Sequence, residues 1–133
     1  MDSETQRIID QCVAASHAGS GRFGEQVMLL SQSGVESYHV DFRERASSYY
    51  APGGTAYRVS IEPPLQTIAE AFDARALVAA IRGSQQGVLQ YPEFMRRAMQ
   101  AGVVAYTVWI AGRHVTYFGR RGETHVEQFP TTT

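Results

Sequence analysis

Apolar and polar positions alternate between two rhythms along this chain. Ile8, Ile9, Cys12, Val13 and Ser16 follow a helical stripe that Gly19 and Gly21 end, and Ser3-x-x-Gln6 ahead of it resembles a capping box. Phe23, Val27 and Leu30 give one face of a shorter second helix. The rhythm then changes to a period of two over Val35–Phe42, with Tyr38, Val40 and Phe42 on one side. Ser47–Ala51 follows as a second strand, and Gly53-Gly54 turns the chain into a third segment.

The same series then recurs. Asp73 is set to cap a helix striped by Leu77, Ala80, Ile81 and Ser84, with Phe72 and Leu77 at the hydrophobic-staple positions and Gly87 closing it. Tyr91, Phe94, Met95 and Ala98 mark a fourth helix, with Pro92 in its first turn, where a missing N–H costs nothing. Gly34 and Gly102 stand just past the second and fourth helices, where a left-handed residue ends a helix. Val103–Ile110 and Val115–Gly119 read as strands joined by a hairpin at Ala111-Gly112-Arg113, and Arg121-Gly122 turns into a last segment. Tyr49 and Tyr117 take the same inward position.

Shifting the chain by 68 residues aligns Arg7–Arg58 with Arg75–Val126 without a gap, and twelve of 52 pairs are identical. Average residue usage gives roughly three by chance. The expected fold is therefore α+β, a tandem duplication of an ααββ(β) unit. Its antiparallel sheet or sheets carry helices on one face, and a pseudo-twofold axis relates the halves. The repeats span about 3–58 and 72–129 of a single domain, joined by a linker over 59–71 that contains Pro63-Pro64; Thr131–Thr133 reads as a frayed tail.

Composition narrows the functional classes. The net charge is −1 and the twelve basic residues are all Arg, scattered except at Arg96-Arg97 and Arg120-Arg121. This balance argues against a nucleic-acid partner, and the absence of Lys excludes Schiff-base chemistry. Cys12 is the only cysteine; it forms no internal disulfide and reads as a buried, inert thiol. The opening Asp2 and Glu4 argue against a secretory signal, and no apolar run approaches membrane-spanning length, so the chain reads as cytoplasmic with no membrane partner.

Positions shared by the halves read as scaffold, and polar positions that differ are where function could have been added. The outward strand face is assigned Ser37, His39 and Asp41 in the first half, and Ala105, Thr107 and Trp109 in the second. The next strand adds His114, Thr116 and Phe118, and the last adds His125 and Glu127. Trp109 and Phe118 there suggest either an adhesive patch that forms a homodimer or a surface covered by the linker or tail. His39, Asp41, His114, His125 and Glu127 suit a metal or a general base, although no spacing among them is a ligand pattern. Gly19-x-Gly21-x-x-Gly24 matches a dinucleotide fingerprint only by letter, because it lies between two helices.

Several of these residues also carry a resemblance. Gly34-Val35-Glu36-x-Tyr38-x-x-Asp41, Tyr49-Tyr50-x-Pro52-x-Gly54, Ile110-Ala111-Gly112-Arg113 and Tyr117-Phe118-Gly119-Arg120-x-Gly122-Glu123-x-His125-Val126-Glu127 resemble the YbcV-like proteins, a bacterial and prophage-borne family of unknown function sometimes labelled phage envelope protein. The resemblance implies no activity, cofactor or catalytic residue. Where family members carry Gly-Glu-x-His after the first turn, this chain has Gly54-Thr55-Ala56-Tyr57, so only Glu123 and His125 keep that pattern.

The expected function is a non-enzymatic binding module of prophage origin, acting as a homodimer through the outer sheet face, without cofactor or metal. Its binding residues are drawn from Trp109, Phe118, His114, His125, Glu127 and Asp41. The alternative is a small metal-assisted hydrolase using His114, His125 and Glu127, which requires those three side chains to converge.

Overall fold

The computed structural model describes residues 1–130, so the expectation for the 131–133 tail falls outside the described residues. Helices α1 (Ser3–His17) and α2 (Phe23–Gln32) precede strands β1 (Ser37–Asp41), β2 (Ala46–Tyr50) and β3 (Ala56–Ser60). Helices α3 (Ala74–Gln85) and α4 (Tyr91–Gln100) precede β4 (Val103–Trp109), β5 (His114–Gly119) and β6 (Thr124–Gln128). All six strands form one antiparallel sheet in the order β3-β2-β1-β4-β5-β6, so β1 and β4 meet at the centre. No helix of the described residues is long and apolar enough to cross a membrane.

The helix starts follow side-chain chemistry. Asp73 caps α3 by accepting from the Ala76 N–H at 3.0 Å. At α1 the cap is Asp2, whose Oδ1 accepts from the Thr5 N–H at 2.8 Å, and Ser3 is already helical. The capping box is thus displaced by one residue; Gln6 instead donates to the Met1 carbonyl. Gly34 at φ 94° and Gly102 at φ 89° end α2 and α4 in the left-handed region that glycine adopts freely.

One sheet face carries the core. Tyr38, Val40, Tyr49, Val103, Tyr106, Val108, Val115 and Tyr117 are buried against Ile9, Cys12, Leu30, Leu77, Ile81, Phe94, Met95 and Met99 of the helices. Fully burying a side chain such as Ile9, Leu77 or Met95 contributes about 1.5–3 kcal/mol. Burial is uneven between the halves. Helix α4 buries Phe94, Met95, Ala98 and Met99, whereas α2 buries only Leu30 and leaves Phe23 40% exposed.

The expected linker begins later than its sequence suggests, because Val59 and Ser60 pair with Ser47 and Ala46 in β3. From Ile61 the chain returns along the helix layer. Its Glu62 N–H donates to His17 Nε2 at 3.0 Å, and Ala69 N–H and Asp73 N–H donate to the Met99 and Ala101 carbonyls.

Candidate functional site

Strand register decides which side chains share the face opposite the helices, because directly paired residues project to the same side. At one end the pairs place Tyr50, Ser37, Trp109 and His114 side by side. Across the middle run Arg58, Ser48, His39, Thr107, Thr116 and Val126. At the other end lie Ala46, Asp41, Ala105 and Phe118.

His114 is therefore on this outer face, but His125 and Glu127 are not. They pair with Tyr117 and Val115, both core residues, and so face the helices. The assignment of His125 and Glu127 to the outer face is corrected here, and with it the constellation of His114, His125 and Glu127, whose members occupy opposite sides of the sheet. The reason is turn length. The four residues Ile110–Arg113 between the paired Trp109 and His114 reverse the odd-even assignment, while the five residues Gly119–Glu123 between the paired Phe118 and Thr124 preserve it. Among the described residues no three His, Cys, Asp or Glu side chains are grouped to hold a metal ion.

Glu127 instead ties β6 to α3. Its Oε2 accepts from Arg82 at 2.7 Å, and its Oε1 lies 3.4 Å from His125 Nε2. Burial works to raise the Glu127 pKa, but Arg82 and His125 outweigh it and hold the carboxyl below its usual range. Asp41 is also occupied structurally. Its Oδ1 accepts from the backbone N–H groups of Arg43 and Glu44 at 2.8 and 3.1 Å, and its Oδ2 from the Arg43 guanidinium at 3.2 Å. It closes the β1–β2 turn in which Arg45 sits at φ 56°.

What stays open on the outer face is mixed: exposed Arg58, Ser60, Thr124 and Gln128 on its edge strands, and three large aromatic or apolar side chains. Trp109 is 41% exposed, Tyr50 38% and Val126 50%. Trp109 reaches onto β5, donating Nε1–H to Thr116 Oγ1 at 3.1 Å, and its ring lies 6.3 Å from that of His114. Half-buried Phe118 lies 6.3 Å from His39. Two of these residues escaped the sequence reading. Tyr50 was legible as the counterpart of Phe118 one period earlier, whereas Val126 needed the β6 register.

The nearest approach to catalytic geometry is His39 Nδ1 at 2.8 Å from Thr107 Oγ1, a nucleophile–base distance. Thr107 is only 7% exposed, and among the described residues no side chain hydrogen-bonds the other ring nitrogen of His39 to orient it. The pair bridges the central strands. Cys12 is buried, and burial raises its thiol pKa, which suppresses the reactive thiolate.

The model of the family described as protein of unknown function (DUF1398) matches residues 54–128, more than half of the chain, from the turn before β3 through β6. Uncharacterized protein Rv2012 of Mycobacterium tuberculosis and uncharacterized protein Mb2035 of Mycobacterium bovis are each 41% identical to this chain over 69 residues. That match covers 50% of this chain and 42% of each relative, so it spans less than half the length of these curated proteins.

Proposed function

The chain belongs to the DUF1398 family, and we propose that it is a non-enzymatic interaction module that self-associates through its outer sheet face. The observation that carries this reading is the pair of exposed aromatics Tyr50 and Trp109, which flank buried Ser37 in one row with half-buried His114, with Phe118 and exposed Val126 on the same face, opposite the helices of the described residues. Six strands about 4.8 Å apart, each about 17 Å long, give a footprint on the order of 500 Å². Within it the exposed aromatic and apolar surface is that of Tyr50, Trp109 and Val126, set among polar residues. Charge does not oppose a second copy. The charged side chains of the face are Arg58, paired with Glu44, and Asp41, paired with Arg43. Trp109 and Tyr50 are the residue types that anchor interfaces.

Sedimentation velocity from about 1 to 100 μM tests the proposal, a range that spans micromolar affinity. A dimer that Trp109→Ala weakens about thirtyfold, as loss of a 2 kcal/mol anchor would, supports it. A monomer throughout, or a dimer indifferent to Trp109→Ala, overturns it.

We also infer that the chain arose by duplication. Six glycines with positive φ fall into three pairs 68 residues apart, Gly19/Gly87, Gly34/Gly102 and Gly54/Gly122, as do the left-handed Arg45 and Arg113. In the central ladder His39 pairs with Thr107, its own counterpart, which is the register a twofold axis through that point requires. We further infer kinship with the YbcV-like proteins from the Tyr117–Glu127 motif alone, since the family match supports an uncharacterised family and no more. Recovery of close relatives from prophage regions would support a prophage origin, and their confinement to conserved chromosomal operons would count against it.

A further inference from the structure

The two halves differ most where the second half has its own cover. Linker residues 66–73 lie along the end of α4. Gln66 accepts from Gln100, Ala69 N–H donates to Met99 O, and a side chain at Gly102 would collide with the Ala71 carbonyl at 2.3 Å. The Arg120 guanidinium donates to Ile68 O, and Arg121 pairs with Glu70 at 2.7 Å. This is an extended, acidic segment on a basic seat.

The corresponding seat in the first half is filled at Ser33, the counterpart of Ala101, whose carbonyl accepts from Thr5 Oγ1 at 3.0 Å, and open beyond it. A shallow groove of about 230 Å³ runs past the end of α2, lined by Ser31, Gly34, Glu36 and Pro52. Ser31 and Gly34 are the counterparts of Met99 and Gly102, and nothing lies within 4 Å of where a Gly34 Cβ would be. Its sign is reversed. Pro52-Gly53 replaces Arg120-Arg121, and Glu36 replaces Val104; Glu36 is exposed and makes no ion pair among the described residues. Helix α2 is altered in the same direction. Where α4 presents Arg96 and Arg97, both paired with Glu93, α2 presents Met28 and Leu29, 60% and 45% exposed. Glu25, the counterpart of Glu93, makes no ion pair among the described residues.

We propose that this groove, together with Met28 and Leu29, binds an extended segment of a partner protein in which a basic side chain is flanked by small and apolar residues. The segment lies as the linker does in the second half. One backbone N–H donates to the Ser31 carbonyl, its chain passes over Gly34, its basic group meets Glu36, and its apolar end runs onto Met28 and Leu29.

The probe is a capped octapeptide with the linker sequence 65–72 in which arginine replaces the glutamate of position 70, titrated into the full ¹⁵N-labelled chain. Saturable shifts at the Ser31, Gly34 and Glu36 amides are expected, with a dissociation constant below about 1 mM. The unaltered glutamate peptide binds at least tenfold more weakly. Glu36→Arg and the double variant Met28→Arg, Leu29→Arg, which copies α4, each weaken the arginine peptide at least fivefold while the spectrum stays dispersed. The proposal is overturned by no saturable shift at about 5 mM, by equal binding of both peptides, or by shifts confined to the outer sheet face. It is also overturned if the double variant disperses a dimer of the unmodified chain, since a second copy then occupies the surface.

Discussion

His39 and Thr107, 68 residues apart in sequence, face each other at the centre of the sheet with Nδ1 and Oγ1 2.8 Å apart. They join the strands that begin the sheet portions of the two halves, so this bond sits on the seam between them.

Breaking the bond tests whether the seam is cooperative. A neutral side-chain hydrogen bond contributes about 0.5–1.5 kcal/mol. Thr107→Val keeps the shape and removes the hydroxyl, while His39→Ala leaves the hydroxyl of the buried Thr107 without its partner. Urea unfolding of both single variants and the double variant should give a coupling of about 1 kcal/mol. Additive effects would mean that each side chain stabilises its own strand alone.

The glycines at the ends of α2 and α4 offer a comparison within one molecule. Both have φ near 90°, so alanine is strained at either position. Only Gly102 lies beneath the linker, where an added Cβ meets the Ala71 carbonyl; at Gly34 the space is open. Gly34→Ala is expected to cost about 1 kcal/mol and Gly102→Ala at least 2 kcal/mol more, with the linker displaced. Thermal unfolding of the two variants checks this, and equal losses would show that the linker yields without cost.

Much of this organisation was legible in the sequence because it rests on local rules. Glycines at helix ends, an aspartate before Ala74, and alternation in Val35–Phe42 and Val103–Ile110 each leave a mark within a few residues. The errors arose where a local rule has two solutions. Asp2 and Ser3 both suit a helix cap, and the carboxylate takes the position. His125 and Glu127 alternate correctly within β6, but which side they take depends on counting the residues in a turn. The linker's path was not legible at all. It is set by contacts with Met99, Ala101 and Gly102, remote in sequence from most of it.

Asp41 predicts an acid-dependent loss of stability. Burial works to raise its pKa, but the Arg43 guanidinium and the backbone N–H groups of Glu44 and Arg43 lower it further, so the carboxyl titrates below its ordinary value of 3.8. A depressed folded-state pKa contributes stability that is present above the unfolded value and lost as pH falls through the folded one. Asp41→Asn should cost about 1–3 kcal/mol at pH 7, and the deficit should narrow as the pH drops below about 4. Chemical denaturation at pH 7, 5 and 3 checks this. A deficit independent of pH would assign the effect to geometry rather than charge.

The buried tyrosines predict the opposite limit. Tyr38, Tyr49, Tyr91, Tyr106 and Tyr117 lie between sheet and helices, with the Tyr91 and Tyr106 hydroxyls bonded at 2.6 Å. Burial raises all five, with Tyr91 pushed up to about 12 and Tyr38 and Tyr106 well above the ordinary value. The unfolded chain releases these protons near pH 10, whereas the folded chain retains them. Each group therefore contributes stability that is full below pH 10 and declines as the pH rises through its folded value. Absorbance titration at the phenolate band should show these five tyrosines ionising only in one cooperative, alkaline step that coincides with loss of the circular dichroism signal. Tyr91→Phe and Tyr106→Phe should each lower the stability at pH 7 by about 1 kcal/mol, since each leaves one buried hydroxyl without its partner. Gradual ionisation of the five before unfolding would mean that water reaches the layer between sheet and helices, and that the core is looser than its packing indicates.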